Sequence, residues 1–148
     1  MQYKQAEQGR IFTLRLKDED EIPGDIEKFA RKENVRSALV FFLGGADSDS
    51  KVVTGPEENS QEEIVSQINY LSGISEALGI GTIFPDEDEN PKLHLHAAFG
   101  RGKETITGCT RKGISVWLIG EVIVMELVGH EAVRVKDSES EIELLSLE

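Results

Sequence analysis

Residues 92–110 read KLHLHAAFGRGKETITGCT, and strict alternation on both sides of a glycine-rich centre leaves this stretch little choice but a β-hairpin. In a strand, residues i and i+2 share a face. Leu93, Leu95, Ala97 and Phe99 therefore make an apolar face, and His94, His96 and Ala98 make the other. The GRGK centre supplies the turn. Setting Phe99 opposite Ile106 lets apolar meet apolar on the core side. The same register places His96 opposite Cys109 and His94 opposite Arg111. Directly opposed residues share a face with Cβ atoms about 5 Å apart. His94, His96 and Cys109 are thus expected to converge on one patch.

Two imidazoles and a thiolate are a donor set that zinc accepts in tetrahedral geometry. Three protein ligands leave a fourth position for water or substrate, and zinc-bound water ionises near neutral pH. Arg101 and Arg111 are candidates to help a small anion bind at the same place. The residues leave a plainer alternative open, with His94 and His96 as exposed strand residues and Cys109 as a small buried apolar side chain. A nucleophilic Cys109 activated by histidine is a further reading, but no orienting third group is visible. LGGADSDS lacks the G-x-x-x-x-G-K spacing of a phosphate loop, and no Ser-His-Asp arrangement stands out.

Charge narrows the partners. The 148 residues carry 16 Lys and Arg against 28 Asp and Glu, a net of −12. Segment 92–113 holds Lys92, Arg101, Lys103, Arg111 and Lys112 against Glu104 alone, so it is a basic island in an acidic chain. Nucleic-acid affinity comes largely from neutralising phosphates, and an acidic chain starts with a field of the wrong sign. The single cysteine cannot close an internal disulfide. No run of 18 apolar residues suggests a membrane span, and the opening MQYKQAEQGR has no apolar signal core. The expectation is a cytoplasmic protein.

Along the rest of the chain, RIFTLRLKDEDE alternates as a half-buried strand. PGDIEKFARKEN reads as a helix, with Pro23 near its start, Asp25 as a cap, and Ile26, Phe29 and Ala30 on one face. VRSALVFFLGG is a buried strand stopped by Gly44-Gly45, completing a βαβ-like opening. KVVTG is a short strand, and 56–63 is loop-like, although SQEEIVSQI has the makings of a helical turn. Gly73, Gly79 and Gly81 make INYLSGISEALGIGTIF a bent or bulged strand pair. PDEDENP is a solvated acidic turn. GISVWLIGEVIVMELVG reads as one or two core strands bent at Gly120, and AVRV as a short strand before an acidic tail, 136–148. The expectation is one domain over 1–148, with its core at about 10–135 and no repeats or linker.

These pieces, in this order, resemble the plants-and-prokaryotes-conserved (PPC) domain family over about residues 10–135. The resemblance rests on an opening strand FTLRLKDEDEI, a helix DIEKFARKENV, a strand with a glycine turn SALVFFLGGADS, and the element YLSGI. Its most specific part is the H-x-H hairpin LHLHAAFGR, followed by TGCTRKG and the long apolar strand GEVIVMEL. The resemblance implies an α/β (α+β) fold: a twisted, mainly antiparallel sheet packed against one or two helices. It implies a homotrimer. It maps the family's histidine cluster onto His94, His96 and Cys109, with the cysteine standing for a third histidine. Plant members accompany AT-hooks in nuclear DNA-binding proteins, and stand-alone prokaryotic members are often named as candidate DNA-binding proteins. The R-G-R-P core of an AT-hook is absent here; GRGK is the nearest stretch. Three copies would carry about −36, which weakens any direct contact with DNA. The resulting expectation is a homotrimeric binding domain with a metal site, zinc foremost, or a small-anion site. A DNA-binding or transcription-associated role and a metal-dependent hydrolase or lyase stand as the alternatives.

Overall fold

Residues 1–57, 65–138 and 142–147 are described by the structure, a computed structural model. The alternating segments become strands β1 (Glu7–Lys17), β2 (Glu21–Ile22), β3 (Ala38–Ala46), β4 (Lys51–Pro56), β5 (Ser66–Tyr70) and β6 (Ser75–Pro85). They continue as β7 (Pro91–Arg101), β8 (Glu104–Cys109), β9 (Ile114–Val128), β10 (Val133–Lys136) and β11 (Glu143–Ser146). One helix, α1 (Gly24–Lys32), lies among the described residues. The main sheet runs β1-β9-β3-β6-β7-β8-β4-β5, with β2 also paired to β9, and β10-β11 form a separate hairpin. All these strand pairs are antiparallel. This is the twisted, mainly antiparallel α/β fold expected. No helix among the described residues is long and apolar enough to cross a membrane.

The opening is a split βαβ unit. β1 and β3 both pair antiparallel with β9, so they run the same way with β9 inserted between them. The core lies on one face of the curved sheet. Val40 and Phe42 of β3, Leu95 and Phe99 of β7, and Val122 and Val124 of β9 pack there with Ile26 and Ala30 of α1. The helix is amphipathic, with Asp25 and Glu27 in its first turn and Arg31 and Lys32 in its last, complementing the dipole. Asp25 is not its cap. Pro23 holds that position with no side-chain hydrogen bond, and Asp25 accepts instead from the Glu21 amide at 2.7 Å.

Gly44 and Gly45 do not stop their strand either, since β3 runs on to Ala46. They lie opposite a bulge in β9, where pairing jumps from Gly44↔Gly120 to Gly45↔Trp117. A Cβ on Gly44 would lie 2.4 Å from the Ile119 carbonyl oxygen, and one on Gly45 2.5 Å from that of Trp117. Leu118, within the bulge, takes a positive φ and donates its amide to Asp18 at 2.6 Å. The bend expected at Gly120 is this bulge. The strand pair expected from INYLSGISEALGIGTIF is β5 and β6, whereas most of SQEEIVSQI lies outside the described residues. In the acidic turn, Asp86 accepts the amides of Asp88 at 3.0 Å and Asn90 at 2.8 Å. The C-terminal tail docks as β11 against β10.

At the far edge of the sheet, Glu126 of β9 accepts from Arg10 three times: from Nε at 2.8 Å, Nη2 at 2.7 Å and the backbone amide at 3.0 Å. Arg10 Nη2 also donates to the Glu33 carbonyl at 3.0 Å, tying β1 to the end of α1. The outer face of the sheet is apolar too: Phe41, Leu43, Leu78 and Ile80 project there and are exposed.

Candidate metal centre

The hairpin register is the one that alternation requires. Phe99 pairs with Ile106, and His96 with Cys109. Thr82 of β6 lies beside His94, and Ile80 beside His96. Thr82, His94, His96 and Cys109 are thereby brought to one end of the outer face. The His94–Arg111 pairing does not form. β8 ends at Cys109; Thr110 then donates both its amide, at 3.0 Å, and its hydroxyl, at 3.1 Å, to the Leu95 carbonyl. Arg111 leaves the ladder in a turn and donates Nη2 to Ser66 Oγ at 2.7 Å.

The donor atoms of His94, His96 and Cys109 all lie within 4.8 Å of one another. The two Nε2 atoms are 3.0 Å apart, with the rings edge to face at a centroid separation of 4.9 Å. Zinc bonds of about 2.0–2.3 Å in a tetrahedron put neighbouring donors about 3.3–3.6 Å apart, so small side-chain shifts are enough. Two imidazole nitrogens and a free cysteine sulfur fit zinc by chemistry as well as by spacing. Cys109 is 2% exposed, whereas both histidines are exposed. The sulfur thus anchors the inner side, and the imidazoles open outward.

Both histidines are held below their ordinary value near 6.5. For His94 the chief cause is the partial loss of water around the ring, followed by the positive charges of Arg134 and Arg111. For His96 it is the same loss of water, then His94 and Arg111. Both are therefore neutral at neutral pH, as metal ligands must be. A metal bound there supplies a Lewis acid with a coordination position left for a ligand.

A cleft of about 610 Å³ opens beside the cluster, bordered by His94, Cys109, Arg111 and, from the C-terminal hairpin, Arg134 and Glu143. Arg134 was not anticipated from the sequence. It is 6% exposed and donates Nη2 to Thr82 Oγ1 at 3.1 Å. The available signal was an arginine within the apolar run AVRV. Arg101, by contrast, sits at the other end of β7, where it donates Nη1 to the Ile74 carbonyl at 2.7 Å. Seven residues of strand separate it from His94, about 23 Å. Of the two arginines expected at the site, the fold brings Arg111 to the cluster and leaves Arg101 away from it.

The model of the Plants and Prokaryotes Conserved (PCC) domain matches residues 3–128. The chain belongs to this family. Among solved structures, this PCC chain is similar to a metal-containing protein from Archaeoglobus fulgidus, with 23% identity and a TM-score of 0.80 over 97% of this chain and 98% of that one. It is similar to a plant- and prokaryote-conserved protein from Pyrococcus horikoshii, with 20% identity and a TM-score of 0.83 over 99% and 97% of the two chains. A Bacteroides thetaiotaomicron protein, named as a candidate DNA-binding protein, shares 14% identity at a TM-score of 0.77, over 96% and 97%. At these identities the likeness is one of fold. No curated protein matches the chain. The cluster lies within the matched residues, and β10 and β11 lie beyond them.

Proposed function

We propose that this PCC chain is a metal-binding subunit, with His94, His96 and Cys109 as ligands and zinc as the metal, and that it works as a cytoplasmic homotrimer by binding rather than by catalysis. The observation that carries the reading is the meeting of three soft or borderline donors within 4.8 Å, from adjacent strands of one hairpin. The Archaeoglobus fulgidus relative is named for its metal, which supports extending a metal to this chain. Self-association is supported by the family resemblance and by the exposed apolar outer face around Phe41, Leu43, Leu78 and Ile80, which other copies of the chain would cover. The net charge of −12 argues against direct contact with a phosphate backbone.

The deciding experiment is elemental analysis of protein purified without a metal-binding tag, together with sedimentation equilibrium. The expected result is one zinc per chain and a mass of three chains. Zinc that persists at full stoichiometry in Cys109→Ala, or a monomer at micromolar concentration, sinks the corresponding half of the reading.

A further inference from the structure

Burying a guanidinium is costly unless its N–H groups and its charge are answered. Arg134 is 6% exposed, yet its Nε is enclosed without an acceptor, and among the described residues it forms no ion pair. Among the described residues, the one hydrogen bond of its side chain runs from Nη2 to the neutral Thr82 hydroxyl. Glu143, diagonal to it on the paired strand β11, helps to hold its charge without reaching bonding distance. Phe84 lies under the guanidinium at 5.8 Å, a contact that positions it and takes none of its N–H groups. Arg134 borders the same cleft as Arg111, whose guanidinium is steadied by Ser66.

Among the described residues, the charged side chains of this cleft are Lys92, Arg111 and Arg134 against Glu27 and Glu143, and Lys92 is already paired with Asp86 at 3.5 Å. That leaves two guanidiniums with no carboxylate at bonding distance among the described residues. A single carboxylate can be shared by the two, whereas a doubly charged phosphate meets more repulsion from Glu27 and Glu143. The planar fork of arginine also matches a carboxylate in shape. We propose that the cleft receives a small monocarboxylate, gripped by Arg134 and Arg111, beside the His94–His96–Cys109 cluster. The C-terminal hairpin, which lies outside the matched family domain, then supplies part of the binding site. The proposal rests on the metal reading for its choice of site, but the grip on the anion is arginine's, so the two fail separately.

The test is saturation-transfer NMR with propionate as probe, on zinc-loaded and chelator-stripped full-length protein, with inorganic phosphate as competitor. Saturable propionate binding is expected in both states. Arg134→Gln should weaken it by about tenfold or more, in line with loss of a charge-assisted hydrogen bond. Arg134→Lys should recover part of the loss, and Arg101→Gln should bind like wild type. Should circular dichroism show that Arg134→Gln disturbs the hairpin, Thr82→Val decides. It removes the Nη2 partner from the main sheet and should weaken binding several-fold. Arginine-dependent binding in protein that takes up no zinc would keep this proposal and reject the metal. The proposal is overturned by wild-type protein that shows no saturable binding, by phosphate binding tighter than propionate, or by Arg134→Gln, or in its place Thr82→Val, binding like wild type.

Discussion

Two arginines, one at each side of the molecule, frame how this sheet uses charge. Arg10, on β1, meets the Glu126 carboxylate through Nε and Nη2 and gives its remaining reach to a helix-end carbonyl. Arg134, on β10, is buried where Arg10 is exposed, and among the described residues its guanidinium hydrogen-bonds to a hydroxyl and meets no carboxylate at bonding distance. The first is answered within the chain, so its role is to fasten β1 and α1 to β9. The second stands beside three metal-type donors and a cleft. A charge satisfied by its own fold is architecture. One left partly unanswered marks a place where something from outside belongs.

The contrast is open to direct tests. The largest effect should come at the open side: Cys109→Ala removes an entire ligand and should cost zinc affinity a hundredfold or more, above the roughly 10–100-fold seen for the loss of outer partners. Competition with a chromophoric chelator measures it, and Glu126→Gln should leave zinc affinity unchanged. Next is stability. Glu126→Ala strips three hydrogen bonds from Arg10 and should lower Tm by several degrees. Arg134→Met removes a buried charge that has no carboxylate at bonding distance among the described residues, and in ligand-free protein it should leave Tm unchanged or raise it. Equal losses in the two variants would erase the distinction.

The smallest effect is a difference in pH response, readable by hydrogen exchange. Glu126 is held below its ordinary value chiefly by its hydrogen bond from the Arg10 side chain. Its stabilising contribution is complete above the ordinary carboxylate value and is lost as pH falls through the lower folded one. His94 and His96 are lowered mainly by partial loss of water. The unfolded chain therefore takes up their protons first, and metal-free β7–β8 should begin to lose protection as pH falls below about 6.5. Exchange should thus accelerate around the cluster in mild acid, and between β1 and β9 only in stronger acid. Simultaneous loosening of both regions would contradict the assigned causes.

The hairpin was legible because its alternation is strict: a slip of one residue would turn Leu93, Leu95 and Phe99 to the outside. That constraint alone sets His96 against Cys109. It weakens at the strand end, where Thr110 turns both its polar groups onto Leu95 and Arg111 departs from the ladder. Local pattern also misassigned the paired glycines. Their purpose is the close approach of a β9 bulge some seventy residues later, which no window around Gly44 contains. Arg101 and Arg111 look alike as members of a basic island, but strand rise separates Arg101 from the cluster. Arg134 escaped because its neighbours are tertiary: Thr82 and Phe84 are about fifty residues away, and four residues of AVRV do not reveal which side is covered.

The placement of β9 between β1 and β3 has a consequence for how the chain comes off the ribosome. The first strand has to wait for more than a hundred further residues before its neighbour exists, because Arg10 and Glu126 are 116 positions apart. Until then β1, α1 and β3 have a gap where their central strand belongs. Such a chain gains little by folding early, completes its sheet late and slowly, and depends on being kept from sticking to others in the interval.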